Sequence, residues 1–218
     1  MKRRDLIKSL SILGVSGIMP GAFLSLFQNK KEFHFIGFGG AGSNFVEFNQ
    51  AQNLNAKFTC FSSPTRANIA PEINFVLYER PFNTLEQSQY YYSFRKAIIP
   101  QFELPPQLVQ LLSSDEIPVL CCGVGGQTGT SLLKASINYL KSIDKKFIVA
   151  TSTPFAFESA FFKKEINRLF YENKNNAHFH VIKKNDFMEK FGDQTFDDFF
   201  ILINEQLLEK VNSSFVKI

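Results

Sequence analysis

Two short segments of the chain hold more glycine than turns alone require. Gly37-Phe38-Gly39-Gly40-Ala41-Gly42-Ser43-Asn44 follows an apolar run ending at Ile36 and leads into a helix opening at Ser43 or Asn44. Gly123-Val124-Gly125-Gly126-Gln127-Thr128-Gly129-Thr130-Ser131 follows the apolar run 117–122 and opens a second helix. The chemistry such segments suit is anion binding: without Cβ atoms in the way, backbone N–H groups and a helix N-terminus approach an oxyanion directly. Charge-assisted bonds of this kind contribute about 1.5–3 kcal/mol each, so a handful hold a ligand tightly.

The first segment satisfies G-x-G-x-x-G, a pattern shared with dinucleotide-binding turns. Such a site also needs an acid about 20 residues further on to hold the ribose. Here the predicted strand 57–62 runs into Phe61-Ser62-Ser63 instead. Arg66 beyond it suits a 2′-phosphate, which keeps an NADP-binding Rossmann-type protein as an alternative. That alternative leaves the second glycine segment without a role, whereas two phosphate cradles on one sheet point to one nucleotide held across neighbouring strand ends.

Other chemistry finds less support. His178 and His180 alternate on a predicted strand and His34 lies on another, but no carboxylate or thiol at useful spacing joins them in a metal site. There is no G-x-S-x-G elbow and no Ser/His/Asp order. Cys60, Cys121 and Cys122 offer no C-x-x-C spacing; the adjacent pair sits in an apolar run and reads as buried thiols, leaving the redox compartment open.

The elements that must position the glycine segments alternate along the chain. Apolar runs near 33–37, 57–62, 73–78, 117–122, 146–152 and 178–182 read as strands, and amphipathic stretches near 42–52, 84–98, 128–142, 157–173 and 195–215 as helices. In 99–116, Pro100, Pro105 and Pro106 break any long element. The alternation predicts an α/β, doubly wound, mostly parallel Rossmann-like sheet, whose ligands sit beyond the carboxyl ends of the strands. With 218 residues, 44% hydrophobic and 20% charged, the chain suits one domain that buries enough surface to stand without disulfides or metal. Its 26 Phe and absent Trp predict a Phe-filled core, and the scattered lysines behind a net charge of +4 leave no nucleic-acid footprint.

At the level of motifs the chain resembles the FtsZ/tubulin family. Gly125-Gly126-Gln127-Thr128-Gly129-Thr130-Ser131 resembles the family's GGGTG[ST]G loop, with Gln127 and Ser131 at glycine positions. Ile36 to Asn44 resembles its first strand and loop, Thr153-Pro154-Phe155-Ala156-Phe157-Glu158 its ribose segment, and Phe199-Phe200 to Asn204-Glu205 the start of its central helix. The resemblance implies GTP or GDP as ligand, with Mg admitted beside it. By the same resemblance Gly37, Gly39, Gly40, Ala41, Gly125, Gly126, Gln127, Thr128, Gly129 and Thr130 line the phosphates, and Glu158 meets the ribose. Asn44 and Asn204 contact guanine and Phe200 stacks on it, while Phe199 reads as core. No residue is assigned a catalytic role. Asn185, in Val181-Ile182-Lys183-Lys184-Asn185-Asp186, either touches the sugar or caps the short helix that follows, the cap being preferred.

Departures from the family pattern predict weak or absent hydrolysis. The sequence reaches Ile218 at the end of the central helix, short of the family's water-activating loop and C-terminal domain. Glu79-Arg80-Pro81-Phe82-Asn83-Thr84 stands where the family covers the terminal phosphate with glycines, and Phe162 where it often has Arg, with Lys163 and Lys164 read as a solvated face. A degenerate FtsZ-like interaction module that binds nothing is a further alternative. Self-association, or association with a full-length FtsZ-like protein, are the macromolecular contacts implied.

Residues 1–30 are set apart from the domain at 31–218. Met1-Lys2-Arg3-Arg4-Asp5-Leu6-Ile7-Lys8 precedes an uncharged stretch from Ser9 to Asn29, the layout of an n-region before an h-region. It resembles a twin-arginine signal, with Leu6-Ile7 at the usual Phe-Leu and no A-x-A-like cleavage site. Ser9, Ser11, Gly14, Gly17, Pro20 and Gly21 dilute it as a membrane span, so a helix docked on the domain or lying at a membrane interface is the competing reading. Export follows if the signal works, and a cytoplasmic, membrane-associated protein if the segment stays.

Overall fold

The computed structural model describes residues 32–52, 54–62, 73–77, 104–156, 163–191 and 195–218. Six strands appear among them: β1 (Phe33–Phe38), β2 (Lys57–Ser62), β3 (Asn74–Leu77), β4 (Ile117–Gly123), β5 (Ile148–Ser152) and β6 (Phe179–Ile182). Six helices accompany them: α1 (Gly39–Ala51), α2 (Pro106–Ser113), α3 (Gln127–Ser142), α4 (Lys163–Asn173), α5 (Lys184–Phe191) and α6 (Phe196–Phe215). The strands form one sheet in the order β3-β2-β1-β4-β5-β6, with every pairing parallel.

Because side chains alternate across a strand, odd and even positions feed two separate cores. Phe33, Phe35, Val119, Cys121, Ile148 and Ala150 pack on one face with Phe45 and Val46 of α1 and Phe199, Ile203, Leu207 and Val211 of α6. Ile36, Phe38, Leu120, Cys122 and Val149 pack on the other with Leu108 and Leu112 of α2, Leu132, Leu133, Ile137 and Leu140 of α3, and Ile166 and Leu169 of α4. Each fully enclosed side chain of this size contributes about 1.5–3 kcal/mol of burial, which is why all of β1 is apolar or paired and buried end to end. The abundant phenylalanines stack here, with Phe35 and Phe58 at 5.5 Å and Phe33 and Phe215 at 4.0 Å between ring centroids.

The chain leaves β1 in one direction toward β2 and β3, then returns to β1's other edge as β4. The loops after β1 and β4 therefore emerge side by side at the point where the strand order reverses, the place where such sheets open a crevice.

Two elements differ from the sequence reading. The segment assigned as broken by prolines contains α2, whose Pro106 sits in the first turn, where a missing N–H costs nothing and a fixed φ favours the helix. Helix α1 starts at Gly39, not at 42–44, so the glycines form its first turn. Helix α4 is described only from Lys163, and the predicted helix at 84–98 lies outside the described residues, as does the segment at 1–30. Among the described residues no helix is long and apolar enough to cross a membrane.

Candidate functional site

The glycines of the two loops divide by what surrounds them. A Cβ on Gly37 would lie 2.8 Å from the carbonyl oxygen of Gly42, and one on Gly42 would lie 2.2 Å from that of Cys121. These two glycines let α1 press against β1 and β4. Gly39 adopts φ 65°, and its Cβ would fall 3.4 Å from the amide nitrogen of Gly129. In return a Cβ on Gly129 would meet the carbonyl oxygens of Gly123 at 3.1 Å and Phe38 at 3.2 Å. The loops are in direct contact. Gly125 takes φ 117° against Pro154, whereas Gly126, with no heavy atom within 4 Å of its added Cβ, faces open space.

Both following helices start without a cap. Phe38 precedes α1 and Gly126 precedes α3, neither residue offers a capping side chain, and neither first turn holds an acid. The leading amides and the positive dipole ends of two adjacent helices thus have neither a capping side chain from the residue before them nor an acid in the first turn. Gly40 and Ala41 are exposed at this end of α1. Other groups serve the frame: the Thr130 hydroxyl accepts from Gly125 N–H at 2.9 Å, Val124 N–H donates to Ser152 O at 3.0 Å, and Ser43 Oγ donates to Gly39 O at 2.9 Å. Thr130 is therefore a brace of the second loop.

The next strand ends form a laced corner. Thr153 N–H donates to Ile182 O at 2.9 Å, Lys184 N–H donates to Thr153 Oγ1 at 3.1 Å, and Ala156 N–H donates to Asn185 Oδ1 at 2.9 Å. The preferred reading of Asn185 as a helix cap is thereby corrected: it lies inside the first turn of α5 and ties down the segment after β5, while Thr153 does the capping.

Against this corner packs the start of α6, capped by Thr195, whose Oγ1 accepts from Asp198 N–H at 3.2 Å. Phe155 is buried and gathers Phe199 at 5.7 Å, Phe196 at 5.8 Å and Phe200 at 6.3 Å. Phe199 belongs to the core, as read from the sequence; Phe200 is half-buried, and Asn204, one turn on, is half-buried with no side-chain hydrogen bond to a described residue. Asn44 is half-buried on α1, which shares its sheet face with α6. The side chain of Gln127 at the head of α3 is not described; Glu158, Arg66, Phe162 and residues 79–84 lie outside the described residues.

The sequence reading passed over Lys184, whose only signal was a second lysine ahead of Asn185. It is 6% exposed, with Nζ 4.6 Å from the ring centroid of Phe155 and 5.7 Å from that of Phe200.

The histidines do not converge. His34 Nε2 meets Thr59 Oγ1 at 2.8 Å near Glu116, at the amino ends of the strands, and His180 Nε2 meets Ser214 Oγ at 2.7 Å. Among the described residues no three metal-ligating side chains cluster. The three cysteines are free and buried.

No family model and no curated protein matches the sequence. Solved structures match the fold. An empty FtsZ dimer from M. jannaschii aligns with a TM-score of 0.61 at 16% identity, covering 90% of this chain and 59% of that one. A point mutant of FtsZ from the same organism gives 0.61 at 17%, covering 88% and 58%. CetZ from Methanosaeta thermophila gives 0.53 at 12%, covering 82% and 52%. The chain has the α/β fold of FtsZ and the tubulin-like CetZ, and spans less than two thirds of the length of these structures.

Proposed function

We propose that the protein binds a guanine nucleotide, GTP or GDP, across the ends of β1, β4 and β5. The diphosphate lies on the N-termini of α1 and α3, taken by amides of Gly39, Gly40 and Ala41 and of Gly126, Gln127, Thr128 and Gly129. Gly37, Gly125 and Thr130 hold the loops in shape beneath it. The base stacks on Phe200, with Asn44 and Asn204 at its polar edge, and Glu158 meets the ribose. The observation that carries this reading is the contact of Gly39 with Gly129, which sets two uncapped helix ends together, beside a Gly126 that borders open space. A dianionic group there neutralises both dipole ends at once.

Two helix N-termini whose first turns hold no acid bind phosphate without themselves supplying a base for water. Hydrolysis needs a positioned water and stabilisation of developing charge, so we assign slow turnover. Gln127 and Ser131, at positions where the family motif carries glycine, favour the same assignment. Mg is the natural counter-ion of a bound triphosphate. Self-association is an expectation drawn from the solved FtsZ dimer.

Denaturing the freshly purified protein and separating the released nucleotides by chromatography tests the ligand. Guanine nucleotide is expected. NADP would transfer the site to the dinucleotide reading, and no nucleotide, together with no binding of added GDP, would leave a module that binds nothing. Incubation with GTP should release phosphate far more slowly than an assembling FtsZ does, and rapid release would overturn the slow-turnover assignment.

A further inference from the structure

A group of phenylalanine rings meets where the segment after β5 reaches α5 and α6, and its members differ sharply in exposure. Phe155, Phe187 and Phe199 are buried, Phe200 is half-buried, and Phe196 is 57% exposed. The ring centroids of Phe196, Phe199 and Phe200 lie within 6.3 Å of that of Phe155, and Phe187 joins through Phe199 at 5.6 Å. The largest open surface of the group is therefore on Phe196. Phe200 has less to offer, since Lys184 Nζ lies over its ring at 5.7 Å and Phe155 and Phe199 stand beside it at 6.3 and 6.0 Å. Phe196 also has a fixed seat. It follows the N-cap of α6, where Thr195 Oγ1 accepts from Asp198 N–H at 3.2 Å and donates to Asp198 Oδ2 at 2.6 Å, which holds this helix end against fraying.

The group stands beside the glycine loops. An added Cβ on Gly125 would fall 3.0 Å from the Cβ of Pro154, and Phe155 is the next residue. Phe196, Phe200 and Asn204 recur every four residues along α6 and so share one stripe of the helix, with Phe200 between the other two. The Phe196 and Phe200 rings are 4.9 Å apart at 77°. A planar base laid on one of two such rings meets the other edge to face, an arrangement that aromatic rings favour. We infer that Phe196 is a further base-binding residue, the purine lying in the angle between the Phe196 and Phe200 rings and covering the exposed surface of Phe196. Stacking uses the π-face that every base has, so Phe196 adds affinity without choosing between purines. This rests on the guanine-nucleotide reading above and adds to it a second aromatic wall at the base end.

The test titrates the full chain, Phe196→Ala and Phe196→Trp with GDP and with inorganic pyrophosphate by calorimetry, with thermal unfolding of each. Phe196→Ala should weaken GDP about tenfold and leave pyrophosphate, which reaches the glycine loops without a base, as in wild type. Its melting temperature should stay close to wild type, because an exposed ring buries little. The chain has no Trp, so Phe196→Trp places a single indole at this point. It should keep GDP affinity, and its emission should change on saturation with GDP but not with pyrophosphate. GDP affinity unchanged in Phe196→Ala overturns the inference, as does a loss shared equally by pyrophosphate, which would mark a disturbance of the loops. Should Phe196→Ala not fold, the Trp variant decides: indole emission unmoved while calorimetry shows GDP bound overturns it. Wild type that binds no GDP removes the proposed function itself, whereas GDP binding of full strength in Phe196→Ala removes only the role of Phe196.

Discussion

Gly39 and Gly129, ninety positions apart in the chain, are separated by so little that a single Cβ on the first would sit 3.4 Å from the amide nitrogen of the second. That contact makes one crevice of two glycine loops, and the predictions below follow from which atoms border it.

The glycines should separate experimentally into packing and site classes. Gly42→Ala drives a methyl to 2.2 Å from the Cys121 carbonyl, so backbone must shift, at a cost of about 3 kcal/mol read by denaturant unfolding. Gly126→Ala meets nothing and should cost under about 1 kcal/mol, yet weaken GDP about tenfold by standing in the phosphate space. Equal stability losses in the two variants would contradict the division.

Adjacent phenylalanines should give opposite phenotypes. Phe200→Ala removes the stacking surface and should weaken nucleotide binding by about 1–3 kcal/mol. Phe199→Ala opens a cavity in the core and should cost about 3–5 kcal/mol of stability, with little change in affinity per folded molecule. Calorimetric titration alongside thermal unfolding distinguishes them.

Acid should destabilise the protein in two windows. Burial, and then the charge of Lys210, pulls the His180 imidazole down to about 4 from 6.5, and burial likewise lowers His34. The unfolded chain therefore binds protons that the folded chain refuses, so stability is full above about pH 6.5 and declines as pH falls toward 4. Glu116, held at about 2 by its hydrogen bonds to Lys57 and Ser114, adds a second loss as pH drops below about 4.5. His180→Gln should flatten part of the upper window and leave the lower one; a melting temperature constant from pH 7 to 4.5 would sink this account.

The cysteines should be inert while the protein is folded. Burial raises Cys121 well above the usual thiol range and pushes Cys122 up to about 12, and Cys60 is fully enclosed. Maleimide labelling at pH 8 should therefore follow the unfolding rate. Fast labelling of native protein would place a thiol at the surface.

Much of the architecture was readable in the residues because its signals are local. The apolar runs that mark β1, β4 and β5 and the helical spacing that marks α3 and α6 arise within one element, and all six described strands lie where the alternation of runs and amphipathic stretches placed them. The expected twin glycine turns, the core role of Phe199 and the buried thiols were legible for the same reason. Helix α2 was missed because Pro106 was read as a breaker when its position, in a first turn, makes it a starter.

What the residues determined by themselves is a parallel α/β domain with two bare-backbone loops, since apolar periodicity and missing Cβ atoms are properties of short stretches. What only the tertiary structure decided is which loops are neighbours, which glycines face packing and which face space, and that Lys184 lies beneath two rings instead of in solvent. These depend on strand order and on contacts between distant segments, whose energies are settled only when the sheet has closed its two cores.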